Sequence, residues 1–168
     1  MKLSNLHKAV WLLFLLPLFT ACNNTDDVAG IFTGKTWKLN YITADGQHEM
    51  FDFWDKNAEA RKKSLDKLNA DGTFFIRFDG AADGDIITGK LSGKTIAANL
   101  NGTWSANGKN NNFKAAVEGS SEGDLLAKNF LEGLNAATSY EGDDKNLYIL
   151  YQAGQQTFRI VFRLVNSK

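Results

Sequence analysis

"NLYILYQAGQQTFRIVFRLV", residues 146–165, holds two runs of alternating apolar and polar residues separated by a glycine-bearing turn. Period-2 alternation sends successive side chains to opposite faces of a strand, so each run presents one apolar face. In the second run Phe158, Ile160, Phe162 and Leu164 point one way, and Arg159, Val161 and Arg163 the other. "AGQQ" supplies the turn, and the pair reads as an antiparallel hairpin. A hairpin of this kind needs a core on one side and tolerates solvent on the other.

The same texture runs back through the chain. "TWKLNYI" (36–42) alternates Trp37, Leu39 and Tyr41 against Lys38 and Asn40. "TFFIRF" (73–78), "DIITGKL" (85–91) and "TIAANLNG" (95–102) read as short strands divided by Gly-Asp and Ser-Gly turns, and "GTWSANGKNNNFKAAV" as a hairpin across "ANGKNN". Two stretches break the pattern. Residues 56–68 are charged and proline-free, with a thin stripe of Ala58, Leu65 and Leu68 and a Glu59–Lys63 pair, which predicts a short surface helix. Residues 124–134 set Leu126, Ala127, Phe130, Leu131 and Leu134 on one face at 3.6 spacing, which predicts a packed helix capped by Ser120 or Ser121. No fixed-period repeat and no second domain is visible. The expected class is mostly β (α+β): one curled antiparallel sheet, or a small barrel-like domain, with one packed helix and one shorter surface helix.

The N-terminus has a different character. Lys2 and Lys8 precede an apolar run, Ala9–Phe19, interrupted only by Pro17, the sole proline. About eleven residues are too few to span a bilayer, which needs about 20. Residues 1–21 therefore read as a signal peptide. Removing them leaves about 147 residues, enough for one domain, with a slight acidic excess and no basic face for nucleic acid. The single cysteine, Cys22, cannot form an internal disulfide. It follows Thr20-Ala21, with Phe19 at the −3 position that an ordinary signal peptidase keeps small. Bulky-small-small-Cys resembles the lipobox of bacterial lipoproteins, in which the cysteine sulfur is acylated and becomes the mature N-terminus. The expected partner is then a membrane, held through Cys22. Residues 22–33, small and polar, read as the lipidated end and a tether to a domain over 34–168. Asp26 and Asp27 resemble the acidic tracts that route Bacteroidota lipoproteins to the outer surface.

Three motifs carry a further resemblance. "GKTWKL" (34–39), "AANLNGTWSANGKNNNF" (97–113) with Asn99, Gly102, Trp104 and Gly108, and the final "FRIVFR" (158–163) are similar in order and spacing to META domains, the fold of a heat-shock-associated envelope lipoprotein. Ala98 stands where that family often has cysteine, so no cysteine-linked property carries over. The chain also resembles lipocalin-like lipoproteins of gut Bacteroidota, which open with a Gly-x-x-Trp strand. Both resemblances imply a lipid-anchored envelope protein of the outer membrane, and neither implies an enzymatic activity.

Candidate chemistry is sparse. Beyond residue 21 the only imidazole is His48, followed by Phe51-Asp52 where a zinc peptidase would supply the rest of His-Glu-x-x-His. "DGAADGDI" (79–86) fails calcium-loop spacing, since Ala81 and Lys90 occupy positions 3 and 12. Glu49, Asp52 and Asp55 are close in sequence, but no spacing singles out a glycosidase pair. No catalytic, metal or cofactor residue is assigned. The stretch "MFDFWDK" (50–56), within a segment that looks inserted between the first two strands, places Phe51, Phe53 and Trp54 together. They are expected either to cap one end of the barrel or to contact a protein or small apolar ligand. The expected role is non-enzymatic binding, with an envelope stress or structural factor, such as a hydrolase inhibitor or adaptor, as the alternative.

Overall fold

Eight strands form one antiparallel sheet in the computed structural model, which describes residues 25–120 and 122–165. The signal segment, Cys22 and Ser121 lie outside the described residues. The elements, in chain order, are α1 (Thr25–Phe32), β1 (Thr36–Ala44), α2 (Ala58–Asn69), β2 (Phe75–Asp83), β3 (Ile86–Lys94), β4 (Asn99–Asn107), β5 (Phe113–Glu118), α3 (Leu125–Asn135), β6 (Ala137–Gly142), β7 (Asn146–Ala153) and β8 (Gln156–Leu164). Spatial order is β5-β4-β3-β2-β1-β8-β7-β6, an up-and-down meander whose first and last strands pair.

The C-terminal hairpin forms as its alternation demands. Asn146 pairs with Arg163 and Ala153 with Gln156, leaving Gly154-Gln155 as a two-residue turn in which Gly154 takes φ +64°. β8 then lies against β1, from Trp37 opposite Leu164 to Ala44 opposite Phe158, with a bulge between Leu39 and Tyr41.

The sheet curls without closing. Its edge strands β5 and β6 meet at a single bridge between Asn112 and Ser139, and the Tyr140 N–H donates to the Asn111 carbonyl at 3.0 Å. Asn135, the last residue of α3, covers part of the seam. Its Oδ1 accepts from Val117 N–H at 2.7 Å and its Nδ2 donates to Val117 C=O at 3.0 Å, as a neighbouring strand would.

Curvature comes from glycines on the inner face. Gly80 and Gly89 are cross-strand partners, and a Cβ on Gly89 would sit 1.8 Å from the Asp79 carbonyl oxygen. Without side chains the backbones approach and the sheet bends. Trp104 lies over the bend, its indole N–H shared between the Asp79 and Lys90 carbonyls at 3.1 Å each. "DGAADGDI" is thus mostly ladder, with only Gly84-Asp85 turning the chain. Glycine and alanine carry no polarity contrast, so alternation could not reveal these strand ends.

The inner face is filled by side chains. Trp37, Phe74, Phe78, Phe113 and Phe130 are fully buried among Leu39, Ile42, Ile76 and Leu91. Three other expectations change. β4 runs unbroken through "NLNGTWSAN", and Thr95–Ala98 before it is a turn closed by Thr95 N–H to Ala98 C=O. α3 ends at Asn135, as its periodicity places it, but "ATSYEG" after it is strand β6, which the pattern does not predict. The cap of α3 is Asp124, whose side chain accepts from Ala127 N–H.

The largest difference lies at the expected tether. Residues 25–32 form α1, and Val28, Ile31 and Phe32 belong to the core. Phe32 is fully buried, 4.9 Å from the Trp104 and Tyr140 rings, 5.0 Å from Phe78 and 5.5 Å from Phe113. The folded domain therefore starts before Gly34. Lys35 secures this end, its ammonium donating to the carbonyls of Gly30 and Asp144.

Candidate functional site

Strand directions give the sheet two ends. One carries α1 and the β2–β3, β4–β5 and β6–β7 turns; the other carries α2, α3 and the long β1–β2 connection with residues 50–56. That connection is pinned rather than loose. The Phe51 N–H donates to Ile42 C=O at 2.8 Å, and the Asp52 carboxylate accepts from the N–H groups of Trp54 (3.1 Å) and Lys56 (3.0 Å). Asp52 thereby holds a turn in which Asp55 and Lys56 both take left-handed backbone, φ +49° and +64°. Two successive non-glycine residues in that region are strained. Asn57 then caps α2, accepting from Ala60 N–H.

The three aromatics separate in role. Trp54 is 3 % exposed and offers no surface to a partner. Its indole N–H donates to Ser64 Oγ at 3.0 Å, and Ser64 donates in turn to Asp124 Oδ2 at 2.7 Å. The α3 cap is thus tied to α2 and to the loop by one relay. Phe51 and Phe53 are half-buried and remain accessible. Their rings lie 5.0 Å apart, and Phe51 meets Phe158 edge-on at 5.0 Å. Phe158 stacks on Tyr151 at 5.4 Å, which extends the aromatic group onto the sheet. Burial, with Glu132 nearby, pushes the Tyr151 phenol well above its ordinary range, so it stays neutral.

A second tie fixes the approach to α3. Glu122 accepts the N–H groups of Ala97 (2.6 Å), Ala98 (3.0 Å) and Ile96 (3.3 Å). Burial pushes the Glu122 carboxyl up, but these bonds and one from Thr95 outweigh it and hold the pKa below the ordinary value. Pattern reading missed Ser64, and of Glu122 it saw only an acid near the start of α3, because their partners are far along the chain. A serine facing inward on an otherwise charged helix was the one available signal.

The remaining candidates are dispersed. His48 and Glu49 are exposed, and Asp52 is engaged with backbone, so no carboxylate pair converges there. Arg159 is committed on the outer face, 3.1 Å from Asp45 and 3.2 Å from Glu141 and lying over Tyr148, while Arg163 is exposed. Among the described residues no helix is long and apolar enough to cross a membrane.

Residues 23–164 match the family DUF4847, described as a domain of unknown function. The chain belongs to the DUF4847 family. A crystal structure of a DUF4847 family protein from Bacteroides vulgatus superposes with a TM-score of 0.60 at 24% identity, covering 84% of this chain and 99% of the other. At that identity the likeness establishes the fold. No curated protein matches. The DUF4847 match starts at residue 23 and so takes in α1, in keeping with the burial of Phe32. The META and lipocalin-like resemblances rest on the sequence motifs alone.

Proposed function

We propose that this DUF4847 protein is a non-enzymatic binding module of the bacterial cell envelope, lipid-anchored through Cys22 and engaging a protein partner through Phe51 and Phe53. The observation that carries the reading is the pair of accessible phenylalanines on a strained, hydrogen-bonded loop at the end opposite α1. Backbone strain held by specific bonds clusters at sites of recognition. An anchor just before α1 turns the aromatic end away from the bilayer.

The filled inner face favours an adaptor or hydrolase inhibitor over a carrier of an apolar ligand, because a lipocalin-like calyx keeps its interior open. The META-like and lipocalin-like motifs agree with an envelope lipoprotein, as does the lipobox-like approach to Cys22.

Two experiments test the two halves separately. Labelling cells with an alkyne fatty acid should mark the wild type and leave Cys22→Ala unmarked; equal labelling would remove the anchor. Envelope crosslinking through a photoreactive residue at position 53 should yield a discrete protein adduct that Phe51→Ala abolishes. Adduct formation indifferent to that change would remove the binding surface.

A further inference from the structure

The outer wall where β8, β1 and β2 run side by side carries an unusual grouping of charge. Lys38 of β1 stands directly opposite Arg163 of β8, and Thr36 of β1 directly opposite Arg77 of β2. These residues, with Asp71 and Thr73 from the segment after α2, line a cleft of about 390 Å³. Like charges directly opposite across two strands destabilise a sheet, and three cations here face one carboxylate.

Local structure accounts for part of the grouping. Lys38 as a residue is 6 % exposed, and its ammonium donates to the carbonyls of Ala70 and Thr73, at 2.7 Å each, and to Thr73 Oγ1 at 3.2 Å. It ties β1 to the segment after α2, and its hydrogen bonds go to neutral oxygens, with Asp71 the only carboxylate in the cleft. Burial lowers its pKa and Arg163 lowers it further, with Asp71 partly opposing. The two arginines have no such duty. Arg77 is held in place, its Nε donating to Thr36 Oγ1 at 2.8 Å and its guanidinium carbon 5.1 Å from the Phe75 ring centre. That arrangement uses one edge of the guanidinium and leaves the terminal nitrogens for another acceptor. Arg163 is exposed and takes part in none of the ion pairs among the described residues. Arg159, four residues away on the same strand and face, has two carboxylates. One arginine is neutralised within the fold and the other is left facing a basic cleft.

We infer that this cleft is an oxyanion site, in which Arg77 and Arg163 grip a carboxylate or phosphate group carried by a small solute and Lys38 supplies charge from beneath. Guanidinium pairs suit such groups because their planar N–H forks match two oxygens at once. The site lies on the sheet wall, apart from Phe51 and Phe53, and stands independently of the reading proposed for them.

The test uses residues 23–168, observed by backbone amide NMR and titrated with inorganic phosphate and separately with D-glucuronate. Glucose and chloride at matched ionic strength serve as controls. Saturable shifts should be confined to Thr36, Gly72, Thr73 and Arg163, with the Lys38 ammonium titrating at higher pH in the presence of the bound anion. Arg163→Gln and Arg77→Gln should each weaken binding tenfold or more, while Arg159→Gln leaves it unchanged. Response to phosphate alone would assign a phosphorylated ligand, and response to glucuronate alone a carboxylate ligand. Shifts that chloride reproduces, or that survive Arg163→Gln in a variant with unaltered spectra elsewhere, would overturn the site. The wild-type comparison with chloride decides even if a variant misfolds.

Discussion

The two ends of the sheet are both closed by aromatic side chains, yet by opposite means. At the N-terminal end a single ring, Phe32, is enclosed by four others, and apolar packing supplies the closure. At the far end α2, α3 and residues 50–56 are joined by directional bonds, Trp54 to Ser64 to Asp124 and Glu122 to three amides, and two phenylalanines stay partly exposed. Hydrophobic burial is non-directional, whereas hydrogen bonds fix angle and position. The first end is built to hold, and the second to present a defined surface.

Removing the central ring of the packed end should do the most damage. Phe32→Ala is expected to cost about 3–5 kcal/mol, the range for deleting a buried phenylalanine, measured by urea denaturation. A loss below about 1 kcal/mol would return residues 25–33 to the status of a tether. Next is the seam. Asn135→Ala leaves the Val117 N–H and C=O without that partner and should cost about 1–3 kcal/mol, with faster amide exchange at Val117.

The bonded end should respond more weakly and with a pH signature. Glu122 has a folded pKa below its ordinary value of 4.5. Its contribution is therefore fully present above that value and is lost as pH falls through the lower, folded pKa. Glu122→Gln should lower stability by about 1 kcal/mol at pH 7, with the difference from wild type shrinking under acid. A difference that grew toward low pH would contradict the assigned bonds. Smallest of all, Phe53→Ala should change stability by about 1 kcal/mol or less, because part of the ring is already in water, while reducing partner crosslinking. A larger loss of stability would make the far end a second plug and erase the contrast between the two.

Strand alternation revealed what depends on local pattern. The hairpin of β7 and β8, strand β1, and the cores of α2 and α3 appear where their periodicity places them. Three features escaped because their role is visible only in tertiary context. "DVAGIF" reads as small and polar until Val28, Ile31 and Phe32 meet the sheet. β2 and β3 extend through glycines whose role is to let backbones approach, and β6 hides in "ATSYEG", which follows the helix without a break. At the candidate site, clustering of Phe51, Phe53 and Trp54 was legible, but not their division between surface and core. That division depends on Ser64 and Asp124, ten and seventy residues beyond Trp54. The basic cleft was likewise scattered over three strands until β8 came to lie beside β1.

That last pairing has a consequence for how the molecule is made. β8 is an interior strand of the sheet, and its register partners in β1 are about 120 residues upstream. Until Gln156–Leu164 arrives, β1 and β7 each lack a neighbour, and the two halves of the meander can meet only along the partial seam beside Asn112 and Ser139. Contacts so distant in sequence form late and slowly. The sheet is therefore completed only when its last strand, β8, joins β1 to β7.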